Sequence, residues 1–575
     1  MVKNLYMSEK SGIFACKIYI CMANDKMIRV LEYSVLYPGE QQQDVDGVIS
    51  SMSRNTIINM VIVLTNLYGN KGLENIPKFF SNERELIEVI QRIKLHCDPN
   101  VDYVILPLQT TLRMMQMAFA MPATQEDQLS DDFELQLFKV ILTINEQEVQ
   151  SYRLPENVAG TVFIQSLITY PSCFTLETYK ERTFYQSYSA LQFFRFIESK
   201  IATDSALRTI YDAFLEQYGV ENGVDYIRTM TGVVTITKWV VGKMPGDFSN
   251  DVDNILRRQL IESLTIDLNT QFVNQTGRNN NVDYRKFRDK PFIRDEAGNI
   301  AVVWIEALLD RLYNSLYFDF GEINRRLNTG YAVPQLFTNE FAEKYMFQKL
   351  MRYANGQTMY NALYNPQEQE NGKADYVLVK ENVVIVFECK DIKILGDVIE
   401  THDGVEILEE YRNKLYYETY DTRRGERRYH VATPKGVGQL INYMNQIRTG
   451  DPYYVGTQED SVIYPVLVLS DYKLLQRGFQ QIADEWYEER ENKSENDKPL
   501  TVMSFITLMK SYPLFATNGF EHYFDKYREC IVSNRNPANL DRYMTFDEYM
   551  QDFGEQIDIK ELRNEFIEAI SIKGR

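Results

Sequence analysis

Histidine is scarce in this 575-residue chain, and its four copies (His96, His402, His430, His522) are too dispersed for a ligand cluster. The six cysteines (Cys16, Cys21, Cys97, Cys173, Cys389, Cys530) contain no CxxC, which excludes a zinc ribbon and a disulfide frame. Buried thiols in a reducing cytoplasm are expected instead. Long apolar runs are also missing. The most apolar stretch, 57–64, is interrupted by Asn59 and is too short to span a bilayer, so no membrane partner is expected. The opening MVKNLYMSEKSG has no apolar core, so no secretory signal is expected. Positive charge is in deficit, with 62 Lys and Arg against 81 Asp and Glu and a net charge of −19. That excludes a general nucleic-acid coat protein but leaves room for a local basic groove. No phosphate loop, zinc spacing or nucleophile elbow occurs in the first 330 residues, and no internal repeat is evident.

What is present is the composition of a folded protein: 44% hydrophobic and 25% charged residues, with 39 Tyr and 31 Phe to bury. The length calls for two to four domains. The expected division is an N-terminal α+β region (1–130), a mixed, mostly helical region (131–330), an α/β domain (331–490) and a C-terminal helical region (491–575). Residues 13–21 and 28–35 read as strands, and helical spacing begins near Asn55. The acidic stretch 121–132 is a joint. From 133 to 239 strand-like and helical segments alternate, with the aromatic stripe FYQSYSALQFFRFIESK expected to be core packing. Residues 251–328 read as mostly helical around an Asn-rich loop at 274–283.

The most informative stretch is ADYVLVKENVVIVFECKD, 374–391. It reads as two strands, 374–380 and 383–391, joined by a tight turn at Glu381-Asn382, with Asn382 suited to a positive φ. That turn places Lys380 opposite Val383 and therefore Asp375 opposite Glu388. Lys390 falls on the same face as Glu388. Opposed like charges destabilise a ladder, so two carboxylates here need positive charge between them. An ammonium group and a divalent cation are the candidates. Lys390 supplies the first, and the carboxylates are hard ligands suited to the second.

Around this hairpin, Thr338 or Asn339 is expected to cap a helix running to Arg352, with Ala342, Met346 and Leu350 on one stripe. Residues 358–364 are a short strand, 392–434 a mixed insertion, 436–447 a helix, 462–470 a buried strand and 471–491 a helix. Residues 491–498 are a charged linker. The order helix, three strands, helix, strand predicts an α/β sandwich with a small mixed sheet.

That order, with Ala374-Asp375 opening the second strand and Glu388-Cys389-Lys390 ending the third, resembles the PD-(D/E)XK nuclease superfamily, the restriction-endonuclease-like αβββαβ fold. Gln439-Leu-Ile-Asn-Tyr443 is similar to the QxxxY signature of its RecB-like branch, with both residues on one helical face. Glu343 matches the acidic residue of the leading helix. Ala374 stands where the family name has proline, and the insertion between Lys390 and Gln439 is long. The likeness covers about residues 335–490.

The resemblance implies a cytoplasmic, Mg²⁺- or Mn²⁺-dependent hydrolase of phosphodiesters, of DNA in preference to RNA. The long region before it is, as architecture, consistent with use in defence against foreign DNA or in repair. Asp375, Glu388 and the carbonyl of Cys389 would hold the metal. Lys390 would position or deprotonate water and stabilise developing charge. Glu343 would reach the metal directly or through water, and Gln439 and Tyr443 would hold the lysine or the substrate backbone. In the insertion, Arg423, Arg424, Arg427 and Arg428, downstream of Tyr416, Tyr417 and Tyr420, suit phosphate and unpaired bases. The region before 330 is expected to set substrate choice, protein-partner binding, self-association or activation. The alternatives are a nuclease-like module that binds nucleic acid or a protein without cleaving, and an acidic scaffold in which the charge cluster is incidental.

Overall fold

Apolar strands and long amphipathic segments assemble, in the computed structural model, into a mixed α/β protein that is mostly helical with small mixed sheets. The structure describes residues 21–571 except 24–25, 69–72, 100, 123–124, 170–175, 238–251, 267–284, 295–299, 357–359, 364–371, 395, 400, 425–426, 534–539 and 554–557. The expected strand 13–21 therefore lies outside the description except for Cys21, and so does the Asn-rich loop.

Near the N-terminus Cys21–Ala23, Lys26–Val30 and Val101–Val104 form a three-stranded sheet. The strand expected over 28–35 stops at Val30, because a helical turn opens at Tyr33. The alternation expected from 133 to 239 is instead a series of helices among the described residues, including Val158–Thr169 (α1) and Leu176–Lys200 (α2). The aromatic stripe of α2 is core packing, as expected. Tyr188, Phe193, Phe194 and Ile197 of α2 are all buried, and packing outweighs their modest helix propensity. Conversely, 251–328 contains a small sheet of Thr265–Ile266, Phe292–Arg294 and Ile300–Val302 that periodicity did not reveal.

A five-stranded sheet organises the second half. Its members are Asn361–Leu363 (β1), Tyr376–Lys380 (β2), Val383–Lys390 (β3), Val462–Leu469 and Thr501–Ser504. Strands β1, β2 and β3 run antiparallel to one another, while Val462–Leu469 lies parallel to β3 and Thr501–Ser504 parallel to that strand in turn. Both faces are covered, which is why the strands read as continuous apolar runs. On one face Leu378, Ile385, Phe387 and Cys389 pack against Phe347, Phe505 and Phe520. On the other Val377, Val384 and Val386 pack against Phe163 of α1, Tyr411 and Leu440.

The leading helix begins earlier than expected. It opens at Val333–Gln335 with Pro334 in its first turn, so neither Thr338 nor Asn339 caps it, and the Thr338 hydroxyl donates back to the Pro334 carbonyl. It continues as a π-helical stretch, Leu336–Phe347, before reverting to α-helix at Gln348–Asn355. The insertion folds as Gly404–Leu415 (α3) followed by a hairpin of Tyr417–Arg424 (β4) and Arg427–Pro434 (β5), which forms a sheet of its own. Gly436–Arg448 (α4) then lies across the sheet. The helix expected over 471–491 is shorter, Phe479–Glu488. The charged stretch 491–498 is docked rather than free. Asp497 pairs with Arg448 at 2.7 Å, and the Lys498 N–H donates to Ile463 at 2.9 Å. It leads into the fifth strand, so the C-terminal residues contribute a strand to the sheet as well as helices.

Candidate active site

The turn between β2 and β3 has the expected two residues, and Lys380 pairs with Val383. The positive φ falls on Glu381 (52°) and not on Asn382, a local cost borne by a well-packed ribbon. The ladder ends at the Tyr376–Phe387 rung, and one step beyond it stand Asp375 and Glu388. Here β2 gives way to a side-chain contact. Asp375 Oδ2 accepts the Cys389 N–H at 2.8 Å, and the Asp375 and Glu388 carboxyls lie within hydrogen-bonding reach of each other. In an extended strand the N–H and C=O of one residue point to the same edge. Lys390 directs its carbonyl to Ser470 on the far side, so the Cys389 carbonyl faces Asp375. The Cys389 side chain packs into the core on the opposite face.

Lys390 Nζ sits 2.5 Å from Glu388 Oε1 and 3.9 Å from Glu343 Oε1. The leading helix thus brings Glu343 to the same ammonium as the hairpin. It also supplies a residue that the sequence gave no reason to select. Gln348 donates from Nε2 to the Asp375 carbonyl at 2.8 Å, anchoring the backbone where the ladder stops. Glu343 and Gln348 are five residues apart, a spacing that the i→i+5 bonding of a π-helix brings onto one face and an α-helical stripe does not.

From the other side α4 contributes Tyr443, whose hydroxyl lies close enough to Glu388 and Asp375 to be raised by both charges after burial. Gln439 touches Tyr443, donating from Nε2 at 3.3 Å, while its Oε1 accepts the Gly436 N–H at 3.0 Å. Its described partners are therefore on its own helix. Arg423 pairs with Arg428 and Arg424 with Arg427 across the tip of the β4–β5 hairpin; their side chains lie outside the description.

Glu388 is 1% exposed, and burial, then the Asp375 charge, pushes its carboxyl far above the ordinary range. Burial likewise raises Asp375, against the Lys390 charge and the Cys389 N–H. Glu343 is pushed up to about 7, by burial and then by Asp375 and Asp391 against Lys390. The three carboxylates outweigh the burial of Lys390 and hold its ammonium protonated far above neutral pH. One amine thus faces three acids.

Among the described residues no group of three or more His, Cys, Asp or Glu side chains forms a ready-made metal cage. The local chemistry nevertheless fits a hard cation. Glu388 Oε2 is buried with no hydrogen-bond donor among the described residues, it faces a second carboxyl, and a carbonyl points to the same edge. Asp375, Glu388 and the Cys389 carbonyl are the groups that would hold it.

A second charged network, absent from the sequence reading, continues from the carboxyl ends of the two parallel strands. Asp391 accepts from Ser470 and pairs with Lys393 at 3.1 Å. Lys473 pairs with Asp310 at 2.5 Å, beside buried Glu306. These groups join the sheet to the helical layer before it. No family model, curated protein or solved structure matches this chain.

Proposed function

We propose that this protein is a metal-dependent nuclease of the PD-(D/E)XK type, its αβββαβ core that of the restriction-endonuclease-like fold, hydrolysing phosphodiester bonds of DNA. The observation that carries the reading is the pair Asp375 and Glu388, one step past the last rung of a buried ribbon, with Lys390 Nζ at 2.5 Å. Mg²⁺ or Mn²⁺ bound between those carboxylates would lower the pKa of a coordinated water and polarise a phosphate. The chain's own groups do the rest. Lys390, held as an ammonium, donates to a non-bridging phosphate oxygen as charge develops there. Glu343, 3.9 Å from that ammonium, keeps it in place and accepts a hydrogen bond from water. Gln348 fixes the Asp375 backbone, and Gln439 holds Tyr443 against the acids. In the net reaction water adds to phosphorus, one P–O bond breaks, and the proton lost by water leaves with the departing oxygen or to solvent. A large helical region joined to such an activity is consistent with use in defence against foreign DNA or in repair.

The test is incubation of the full chain with plasmid and single-stranded DNA in Mg²⁺, Mn²⁺ or EDTA. Cleavage in metal, absent in EDTA and lost in both Asp375→Ala and Lys390→Ala, is the expected result. Binding without cleavage under every condition would replace this reading with that of a non-cleaving nucleic-acid module.

A further inference from the structure

The β4–β5 hairpin carries a feature the proposed chemistry does not use. It is a two-stranded sheet on its own, and such ribbons are marginal in water without a surface to lie on. Its base is well anchored. Tyr416 is buried and stacked on Trp486, its carbonyl accepts the Lys435 N–H at 2.7 Å, and Gly438 packs directly against that carbonyl. The hairpin therefore springs from the N-terminal end of α4, the helix that carries Tyr443 to the carboxylates.

At the other end the register sets Arg423 opposite Arg428 and Arg424 opposite Arg427, two consecutive rungs of like charge. Directly opposed cations weaken a ladder. In a chain of net charge −19 they concentrate positive charge at one tip. Eight-residue strands reach about 26 Å. That length puts the tip within about one turn of duplex DNA from the helix that bears the site.

We infer that this hairpin is a double-stranded-DNA-binding ribbon, its arginine tip entering the major groove beside the scissile strand. The inference rests on the nuclease reading for its substrate class and adds the form of that substrate. A two-stranded β-ribbon fits the B-form major groove, about 12 Å wide, whereas the deep, narrow major groove of A-form RNA does not admit it. A single strand offers no groove. Arginine is the residue type whose fork suits phosphate and guanine edges.

The experiment is fluorescence anisotropy of the full chain in EDTA, so that no cleavage occurs. It uses duplex DNA of about three helical turns, the same sequence as duplex RNA, and single-stranded DNA. The wild-type chain should prefer duplex DNA. Arg423→Gln, Arg424→Gln, Arg427→Gln and Arg428→Gln combined should weaken duplex DNA about tenfold or more. The salt dependence should flatten by about 0.9 in slope for each arginine that touches phosphate. The matching Arg→Lys variant keeps the charge and should retain the wild-type salt slope to within about 1. Unchanged duplex affinity in the Gln variant, equal loss on all three nucleic acids, or a Lys variant whose salt slope falls as far as that of the Gln variant would each overturn the inference. The two readings fail separately. Duplex binding that needs the arginines without cleavage in any metal removes the nuclease and leaves the ribbon; metal-dependent cleavage with arginine-independent binding does the reverse.

Discussion

Two hairpins in this chain share a turn length and a strand count, yet they do opposite things with charge. The β2–β3 ribbon is covered on both faces and sets two carboxylates side by side at its open end. The β4–β5 ribbon stands as a separate sheet and sets arginines side by side at its closed end. In each, the register places like charges where a ladder would avoid them. Opposed like charges are tolerated when something of the other sign comes between them. For the buried ribbon that is an ammonium already in place, with room in the chemistry for a cation. For the separate ribbon, on the reading proposed above, it would be the phosphate of a bound duplex. The difference lies in desolvation: burial multiplies the cost of unpaired charge, and the first ribbon carries its counter-ion beside it.

That contrast can be tested by stability. Lys390→Met leaves Glu388 buried without its ammonium and should cost about 3–5 kcal/mol in urea unfolding at neutral pH, part of it regained in Mn²⁺. A cost below about 1 kcal/mol would mean that burial is not what separates the ribbons. Glu306 offers the same physics away from either hairpin. Burial raises its carboxyl to about 7 from an ordinary 4.5, so the folded state binds the proton more tightly than the unfolded one. Its contribution to stability should therefore fall as pH rises from 4.5 to 7, by up to about 3 kcal/mol, and Glu306→Gln should flatten that part of the curve.

Gly436 has φ +38°, and an added Cβ would lie 2.6 Å from the Leu415 carbonyl, a backbone atom. Gly436→Ala should cost about 1–3 kcal/mol and, by shifting α4, lower cleavage more than it lowers duplex binding. A melting curve beside the cleavage assay checks both. The smallest effect belongs to the separate ribbon. Arg423→Gln with Arg428→Gln should leave stability unchanged or raise it by about 0.2–1 kcal/mol. A clear loss would show that the arginines are structural.

The parts of the molecule legible in advance are those governed by short-range rules. The two-residue turn, the alternation of side chains and the apolar run of β3 were enough to bring Asp375, Glu388 and Lys390 together. Glu343 and Tyr443 were legible only through the likeness to a family, and the structure brings both to the same cluster. Illegible were Gln348, whose position depends on a π-helical stretch, and the true partners of Gln439. The strand Thr501–Ser504 was equally hidden, because four buried residues inside a helical region carry no period of their own. The alternation expected over 133–239 was misread because β-branched and aromatic residues, as in α1, answer to the core around them and not to local propensity.

Sequence by itself determined the register of the central ribbon, and with it which charges stand opposite one another, since that depends only on turn length and a side-chain period of two. It also placed like charges on both hairpins. Tertiary structure alone decided how those charges behave. Helices from residues far along the chain cover one ribbon on both faces, and the protonation of its acids and amine follows from that distant cover.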